Sequence, residues 1–391
     1  MAFNLTTLVL SMDFKARLER AQEKMREKGI DLLYLTRGAN LWYLTGIKRK
    51  GAELTDSNAY GDYICGAYIG AYEGFTFVGP RMGGSAWRAE AEGKPWVEDV
   101  LIFDEHRRPQ DVQKEVLSKF KMKNRRIMVD DRTWAETSLL LKENAPEVEL
   151  SLASDIISPM RMIKDQDEVD AMKKACRLAD VVYGEVVKFL KQGVTEVDVA
   201  HEVDYQFAKR GAEQNSFVTG VRFSSPRKPR GTSRANERRL ESGDSISFDF
   251  GCTLDGYCSD FGRTAFCGTP SEELKKIHAI VMESQAAGIG AMIDGTITAQ
   301  DLDRVARSVI EKAGYGECFV HRLGHGIGVT VHEPPFLFIP DDTTLRRGMT
   351  FTVEPSILLP KSWSARVEDV VLVTKNGGEP FSQYHKELTI V

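Results

Sequence analysis

Four carboxylates and one imidazole stand out among the 391 residues for the segments that carry them. They are Asp249 in Ser-Phe-Asp-Phe-Gly, Asp260 in Tyr-Cys-Ser-Asp-Phe-Gly-Arg, His325 in Leu-Gly-His-Gly-Ile-Gly, Glu354 in Thr-Val-Glu-Pro and Glu368 in Arg-Val-Glu-Asp. Four oxygen donors with one nitrogen donor suit two hard divalent cations sharing a site. Mn²⁺ comes first among catalytic ions for such oxygen-rich ligation, with Zn²⁺, Co²⁺ and Fe²⁺ left open because ligand type alone rarely fixes the metal. A water shared by two cations has its pKa lowered toward neutrality while a carbonyl is polarised, so the chemistry expected is hydrolysis.

Local sequence says how these side chains are positioned. Asp249 and Asp260 flank Leu254-Asp255-Gly256-Tyr257, in which Asp-Gly is a hairpin turn signal that returns the second strand beside the first. Asp255 itself reads as an ordinary solvated turn residue. Asp249 does not, because Phe248 and Phe250 place it in a buried sheet, where an unpaired carboxylate is costly unless a cation compensates it. Glycines on both sides of His325 permit close backbone approach, and His321 and His332 lie four residues before and seven after it. Glu354 precedes Pro355 and is therefore held extended. Glu368 sits in Arg366-Val-Glu-Asp-Val-Val-Leu-Val, a strand by composition, with Asp369 as a structural neighbour.

In this order and approximate spacing, the five segments resemble the pita-bread metallopeptidase family, which includes proline-specific aminopeptidases, prolidases, methionine aminopeptidases and the creatinase branch. The likeness extends over roughly residues 158–391. It implies an α+β pita-bread catalytic domain with a pseudo-twofold repeat. It also implies that Asp249 chelates one metal, that Asp260 and Glu368 bridge the pair, and that His325 and Glu354 complete the second. Glu354 is then the proton shuttle, His332 the group that steadies the oxyanion or the substrate carbonyl, and His321 a pocket-lining residue. Arg17-Leu-Glu-Arg-Ala-Gln and Asn40-Leu-Trp-Tyr-Leu-Thr-Gly46 resemble the α/β amino-terminal domain of the creatinase and prolidase branch. Members of that branch are usually homodimers in which this domain helps close the partner's site, a role open to the aromatic and glycine-rich stretch Ala52–Trp87, which otherwise reads as sheet and turns.

The activity implied is a dinuclear metal-dependent hydrolase that cleaves Xaa-Pro bonds in dipeptides or short peptides, as a dipeptidase or aminopeptidase. A creatinase-branch hydrolase or lyase of a small C–N compound is the alternative. A non-enzymatic binding protein is the third reading, against which the presence of all five ligands argues. One departure bears on substrate. The family carries a substrate-facing histidine shortly upstream of the first Asp ligand, and this chain has no histidine between His201 and His278. The nearest counterpart, in Ser-Ser-Pro-Arg-Lys-Pro-Arg-Gly, is Arg230. Either this is a solvated basic loop, or Arg230 or Arg227 reaches the cavity to hold a substrate carboxylate in bidentate fashion. Arg230 and Arg366 are accordingly the candidate substrate-binding residues.

Length suggests two or three domains, and the family boundary falls between residues 157 and 158: an amino-terminal domain over 1–157 and a catalytic domain over 158–391. In the first, a helical pattern over Asp13–Lys28 stopped by Gly29 precedes the apolar strand Asp31–Thr36. Strand-like runs at 63–79, 99–103 and 127–130 then alternate with helical stretches at 109–121 and 133–143, an α/β pattern. In the second, Thr195, Asp198, Val199, Lys209 and Gly211 realign at an offset of 103 with Thr298, Asp301, Leu302, Lys312 and Gly314. This is either a duplicated N-capped helix or a coincidence of two amphipathic helices. Hydrophobic content of 42%, charged content of 28% and a net charge of −5 describe a globular protein, and the acidic balance excludes nucleic acid as the default partner. Six cysteines without a Cys-x-x-Cys pair fit a reduced, cytoplasmic setting. The opening eleven residues make a poor signal peptide, and no apolar run approaches the ~18 residues of a membrane span.

Overall fold

The computed structural model describes residues 12–49, 60–231 and 234–391. The opening segment 1–11, residues 52–59 of the aromatic and glycine-rich stretch, and residues 232–233 of the basic loop lie outside them. The chain divides into two compact units, Ser11–Arg161 and one that contains Met162–Val391. The helix Ser154–Met162 runs across the boundary expected at 157/158.

In the amino-terminal unit, Asp13 accepts a hydrogen bond from the Ala16 N–H and so caps the helix Phe14–Glu27, whose Leu18, Ala21 and Met25 are buried. The strand Leu32–Leu35 is buried at every position, as a strand covered on both faces must be. It lies inside a six-stranded mixed sheet, parallel to Arg126–Val129 and antiparallel to Gly66–Gly70. The described part of the Ala52–Trp87 stretch is not sheet and turns alone, because Trp87 lies on the helix Gly84–Ala91 and packs 4.4 Å from Phe77.

The second unit is built twice over. Helix Glu196–Lys209 is capped by Thr195, whose hydroxyl accepts from the Asp198 N–H at 3.0 Å; helix Ala299–Lys312 is capped by Thr298, which accepts from the Asp301 N–H at 3.2 Å. Both are 14 residues long, and each is preceded by a longer helix, Gln166–Phe189 or Glu272–Ala291. The first pair covers a four-stranded sheet that includes Gly220–Ser224, Ser245–Phe250 and Phe261–Phe266, and the second covers a five-stranded sheet that includes Gly324–Gly326, Thr350–Val353 and Asp369–Val373. The sheets meet at a backbone bridge between Gly262 and Glu368. Duplicate halves around a shared seam are the pita-bread arrangement expected from the sequence.

Candidate metal centre

Side-chain alternation aims the first carboxylate. In Ser245-Ile-Ser-Phe-Asp-Phe250 the apolar Ile246, Phe248 and Phe250 enter the core, which leaves Ser245, Ser247 and Asp249 on the other face. The expected turn forms at Asp255-Gly256, both with positive φ (49° and 79°), and Asp255 pairs there with Lys174 at 2.6 Å. The chain returns so that Gly262 stands opposite Asp249, with Asp260 just before the paired strand. A Cβ at Gly262 would lie 2.6 Å from Glu368 Oε2, so only glycine lets that carboxylate lie across the strand. His325 is buried in the strand Gly324–Gly326, which lies between Glu333–Leu337 and Thr350–Val353 in the other sheet, where a Cβ on Gly324 would meet the Thr352 carbonyl at 1.9 Å.

Asp249, Asp260 and Glu368 each offer an oxygen, all within 4.8 Å of one another. His325 Nε2 lies 3.6 Å from Asp260 Oδ2 and 3.5 Å from Glu354 Oε1, so all five candidate ligands converge. The contact between His325 Nδ1 and the Gly326 carbonyl, at 3.1 Å, settles the tautomer: a carbonyl can only accept, so Nδ1 carries the proton and Nε2 turns a free lone pair on the carboxylates. Burial pushes the His325 pKa down to about 4, which keeps that lone pair available at neutral pH.

The carboxylates fit a cation better than they fit each other. Burial raises the Asp260 pKa well above its ordinary value, and Asp249 and Glu354 add to the rise. Glu368 is raised in the same way by burial, Asp260 and Glu354; Glu354 is raised by burial, with Arg366 opposing. Arg366 donates to Asp249 at 2.8 Å and lies 3.5 Å and 3.7 Å from Glu354 and Glu368. Burial opposes its charge, yet these carboxylates hold its pKa above the ordinary value. One guanidinium does not satisfy four carboxylates, and Asp260 Oδ1 and Glu368 Oε2 are buried without a hydrogen-bond partner. Orphan acceptors beside a neutral imidazole lone pair are a donor set for divalent cations.

The sequence pattern that defines Metallopeptidase family M24 matches residues 170–375, and that of the creatinase/prolidase N-terminal domain matches residues 17–163. The chain belongs to metallopeptidase family M24. It is 32% identical over 375 residues to the Xaa-Pro dipeptidase of Pyrococcus furiosus, which covers 96% of this chain and 99% of that one. The crystal structure of a recombinant prolidase from Thermococcus sibiricus superposes with a TM-score of 0.86 at 30% identity, covering 97% of this chain and all of that one. An X-Pro aminopeptidase from Thermotoga maritima gives 0.81 at 27% identity, covering 95% and 99%. The family is one of metal-dependent peptidases, and these solved structures share the two-domain pita-bread fold.

The remaining candidates of this M24 chain take different places. His321 Nδ1 donates to the Arg322 carbonyl at 2.7 Å, so its Nε2 accepts from the Ser356 hydroxyl at 2.5 Å and faces Arg366 Nη2 at 3.4 Å. His332 is solvent-exposed, with its ring 4.1 Å from that of His325 and nearly perpendicular to it. Its loop is anchored by the buried ion pair of Lys164 and Glu333 at 2.7 Å. Arg230 lines the same cavity as the five ligands, whereas Arg227 is exposed. Arg366 lies against the carboxylates rather than on the opposite wall.

Sequence reading overlooked several residues. Arg222, Arg234 and Arg322 also line the cavity. For Arg222 the signal was the alternation in Gly220-Val-Arg-Phe-Ser224, which puts Arg222 on the polar face shared with Asp249. Arg263, in the segment that presents Asp260, was also missed. It is fully buried, donates to the Glu368 carbonyl at 2.6 Å and pairs with Asp369 at 2.8 Å, and so fixes the backbone that carries Glu368.

Proposed function

We propose that this chain is a two-metal Xaa-Pro dipeptidase, with Asp249, Asp260, His325, Glu354 and Glu368 holding the cations and Mn²⁺ as the metal. The observation that carries the reading is the convergence of all five donors, two of them with orphan buried oxygens, in one cavity of about 550 Å³. That volume is of the size that takes small molecules, roughly 300–1,000 Å³, and suits a dipeptide better than a long chain. The prolidase and dipeptidase names of the similar proteins support the same substrate class.

When bound, the cations supply Lewis-acid polarisation of the scissile carbonyl and activation of water. The protein's own groups do the rest. Glu354, its carboxyl raised by burial and oriented by the Thr352 hydroxyl at 3.2 Å, takes a proton from the attacking water and returns it to the leaving nitrogen. His332, held by the Lys164–Glu333 anchor, donates to the oxygen on which charge develops. His321 lines the pocket and orients Arg366 through its Nε2.

The test is a screen of Mn²⁺-reconstituted protein against Xaa-Pro dipeptides, longer Xaa-Pro peptides and small amides, with Asp260→Ala as control. Hydrolysis of the dipeptides, falling with peptide length and lost in the variant, is expected. Inactivity on every proline peptide would sink the reading, and turnover of small amides alone would favour the C–N compound instead. The homodimer and cytoplasmic setting expected from the sequence belong to the same proposal. Elution of the reconstituted protein as a monomer on a calibrated sizing column removes the dimer from it.

A further inference from the structure

The loop that leads from the strand Gly220–Ser224 to the strand Ser245–Phe250 is tied down by two buried groups. Glu196, at the start of the helix Glu196–Lys209, accepts from the Phe223 N–H at 2.7 Å and the Asn236 N–H at 3.0 Å, which joins the two sides of the loop at one carboxylate. Arg238 is the second anchor. Its guanidinium donates to the carbonyls of Phe223 at 2.6 Å and Pro229 at 3.2 Å and pairs with Asp244 at 2.5 Å, while Asp244 accepts from the Glu241 N–H at 3.0 Å. Both members of the pair are buried, where an incomplete set of partners is costly, so the segment Ser225–Pro229 is held in one place.

The next residue is Arg230, and its surroundings differ from those of the charges before it. Arg227 and Lys228 are exposed, whereas Arg230 is half-buried and lines the cavity of the five ligands. Its guanidinium has neither a hydrogen bond nor an ion pair among the described residues. Burial first, then the charges of Arg222 and Arg366, lower its pKa to about 10 against the pull of Asp249, and it stays charged at neutral pH. A guanidinium taken out of water without an acceptor is unfavourable, and the acceptor whose shape matches its fork is a carboxylate. In a dipeptide the free carboxylate is borne by the carbon next to the scissile nitrogen, which puts it in the same cavity as the metal ligands. In a longer peptide a neutral amide stands there.

We propose that Arg230 determines the length of the peptide by binding the free C-terminal carboxylate of a dipeptide, and that Arg238, paired with Asp244, is the positioning residue that sets Arg230 in the cavity. This rests on the reading of the cavity as a dipeptidase site and names the residues that exclude longer substrates.

Two measurements test it on the Mn²⁺-reconstituted full chain. In the first, kcat/KM is compared for Ala-Pro and its C-terminal amide. Ala-Pro is expected to exceed the amide by about 10- to 100-fold, the range for a hydrogen bond to a charged group. Arg230→Gln should collapse that ratio, with Arg230→Lys restoring part of it. Arg238→Lys keeps a charge facing Asp244 but loses the fork that reaches the Pro229 carbonyl; it should lower the same ratio, through KM for Ala-Pro rather than kcat. A variant that merely loosens the fold lowers both substrates alike, and a ratio unaltered in Arg238→Lys overturns the positioning role. Equal cleavage of Ala-Pro and its amide, or a ratio that Arg230→Gln leaves unchanged, overturns the proposal and leaves the dipeptidase reading standing. The second measurement needs no turnover: calorimetry with proline and prolinamide at fixed ionic strength. Proline should bind about tenfold or more tightly, and Arg230→Gln should abolish the preference. That result in a protein inactive on every proline peptide upholds the carboxylate site and sinks the dipeptidase reading, whereas equal affinities in the wild type overturn the proposal.

Discussion

Asp260 carries the conflict between stability and function in its own two oxygens. One faces His325 at 3.6 Å, and the other is buried with no partner among acidic neighbours that raise its pKa. Such a group is retained for a ligand, because the fold alone would be better served without its charge. In the presence of a chelator, Asp260→Asn is expected to be more stable than wild type by about 1–2 kcal/mol, since the amide removes one negative charge from the cluster. After reconstitution the order should invert, with the variant holding only trace metal. Melting curves with chelator and with Mn²⁺, together with metal analysis, check both halves; a variant less stable than wild type in chelator shows that the carboxylate is not strained. The five candidate ligands could be read from sequence because each lies in a local pattern that constrains its backbone: a turn, a glycine pair, a proline or, for Glu368, a run of strand-forming residues. Of the other arginines that line the cavity, Arg230, Arg234 and Arg322 lack that property. Nothing in the composition of Ser225–Gly231 says which guanidinium turns inward, and Arg322 is aimed by contact with Phe336, fourteen residues further on.

At the level of elements, the repeat was legible because capping chemistry is local. Threonine followed three residues later by aspartate sets both helix starts, and the offset of 103 survives as two equal helices. Less legible was what ties the strands of the two halves together. Arg263 on the strand Phe261–Phe266 binds the carbonyls of Gly262, Glu368, Tyr384 and His385 and pairs with Asp369, which also meets Lys386 at 2.9 Å and Gln285 at 3.1 Å. A lone arginine beside Asp-Phe-Gly carries no spacing signal for contacts about a hundred residues away. Arg263→Met should remove the guanidinium from six hydrogen-bonded partners, the Ser382 hydroxyl among them, and leave Asp369 to Lys386 and Gln285. The expected loss is roughly 3–5 kcal/mol, the range for breaking a buried ion pair. It should come with weakened metal binding, because Glu368 loses the guanidinium that fixes its carbonyl. Urea unfolding and metal titration read the two effects, and a loss below about 1 kcal/mol contradicts the structural role.

For the molecule as a whole, stability against acid depends on buried groups that refuse protons, and one of them lies outside the metal centre. His278, on the helix Glu272–Ala291, is buried with Nε2 unpartnered. Burial, and then Arg263, push its pKa from 6.5 down to about 4, with Glu387 opposing. Between those two values the unfolded chain takes up a proton that the folded chain does not, so the contribution to stability is full above about pH 6.5 and declines as pH falls. Near pH 4 the loss levels off, at a magnitude on the order of 3 kcal/mol. His321 and His325, also lowered to about 4, and the site carboxylates titrate in both proteins, so their contributions cancel when wild type is compared with His278→Phe. The variant should match or exceed wild-type stability at pH 7.5, since it removes an orphan donor or acceptor, and should lose less on going to pH 4.5. Urea midpoints at the two pH values measure this directly. Equal losses in both proteins would mean that His278 takes up its proton in the folded state as readily as in the unfolded one, and that the acid sensitivity lies in the metal centre alone.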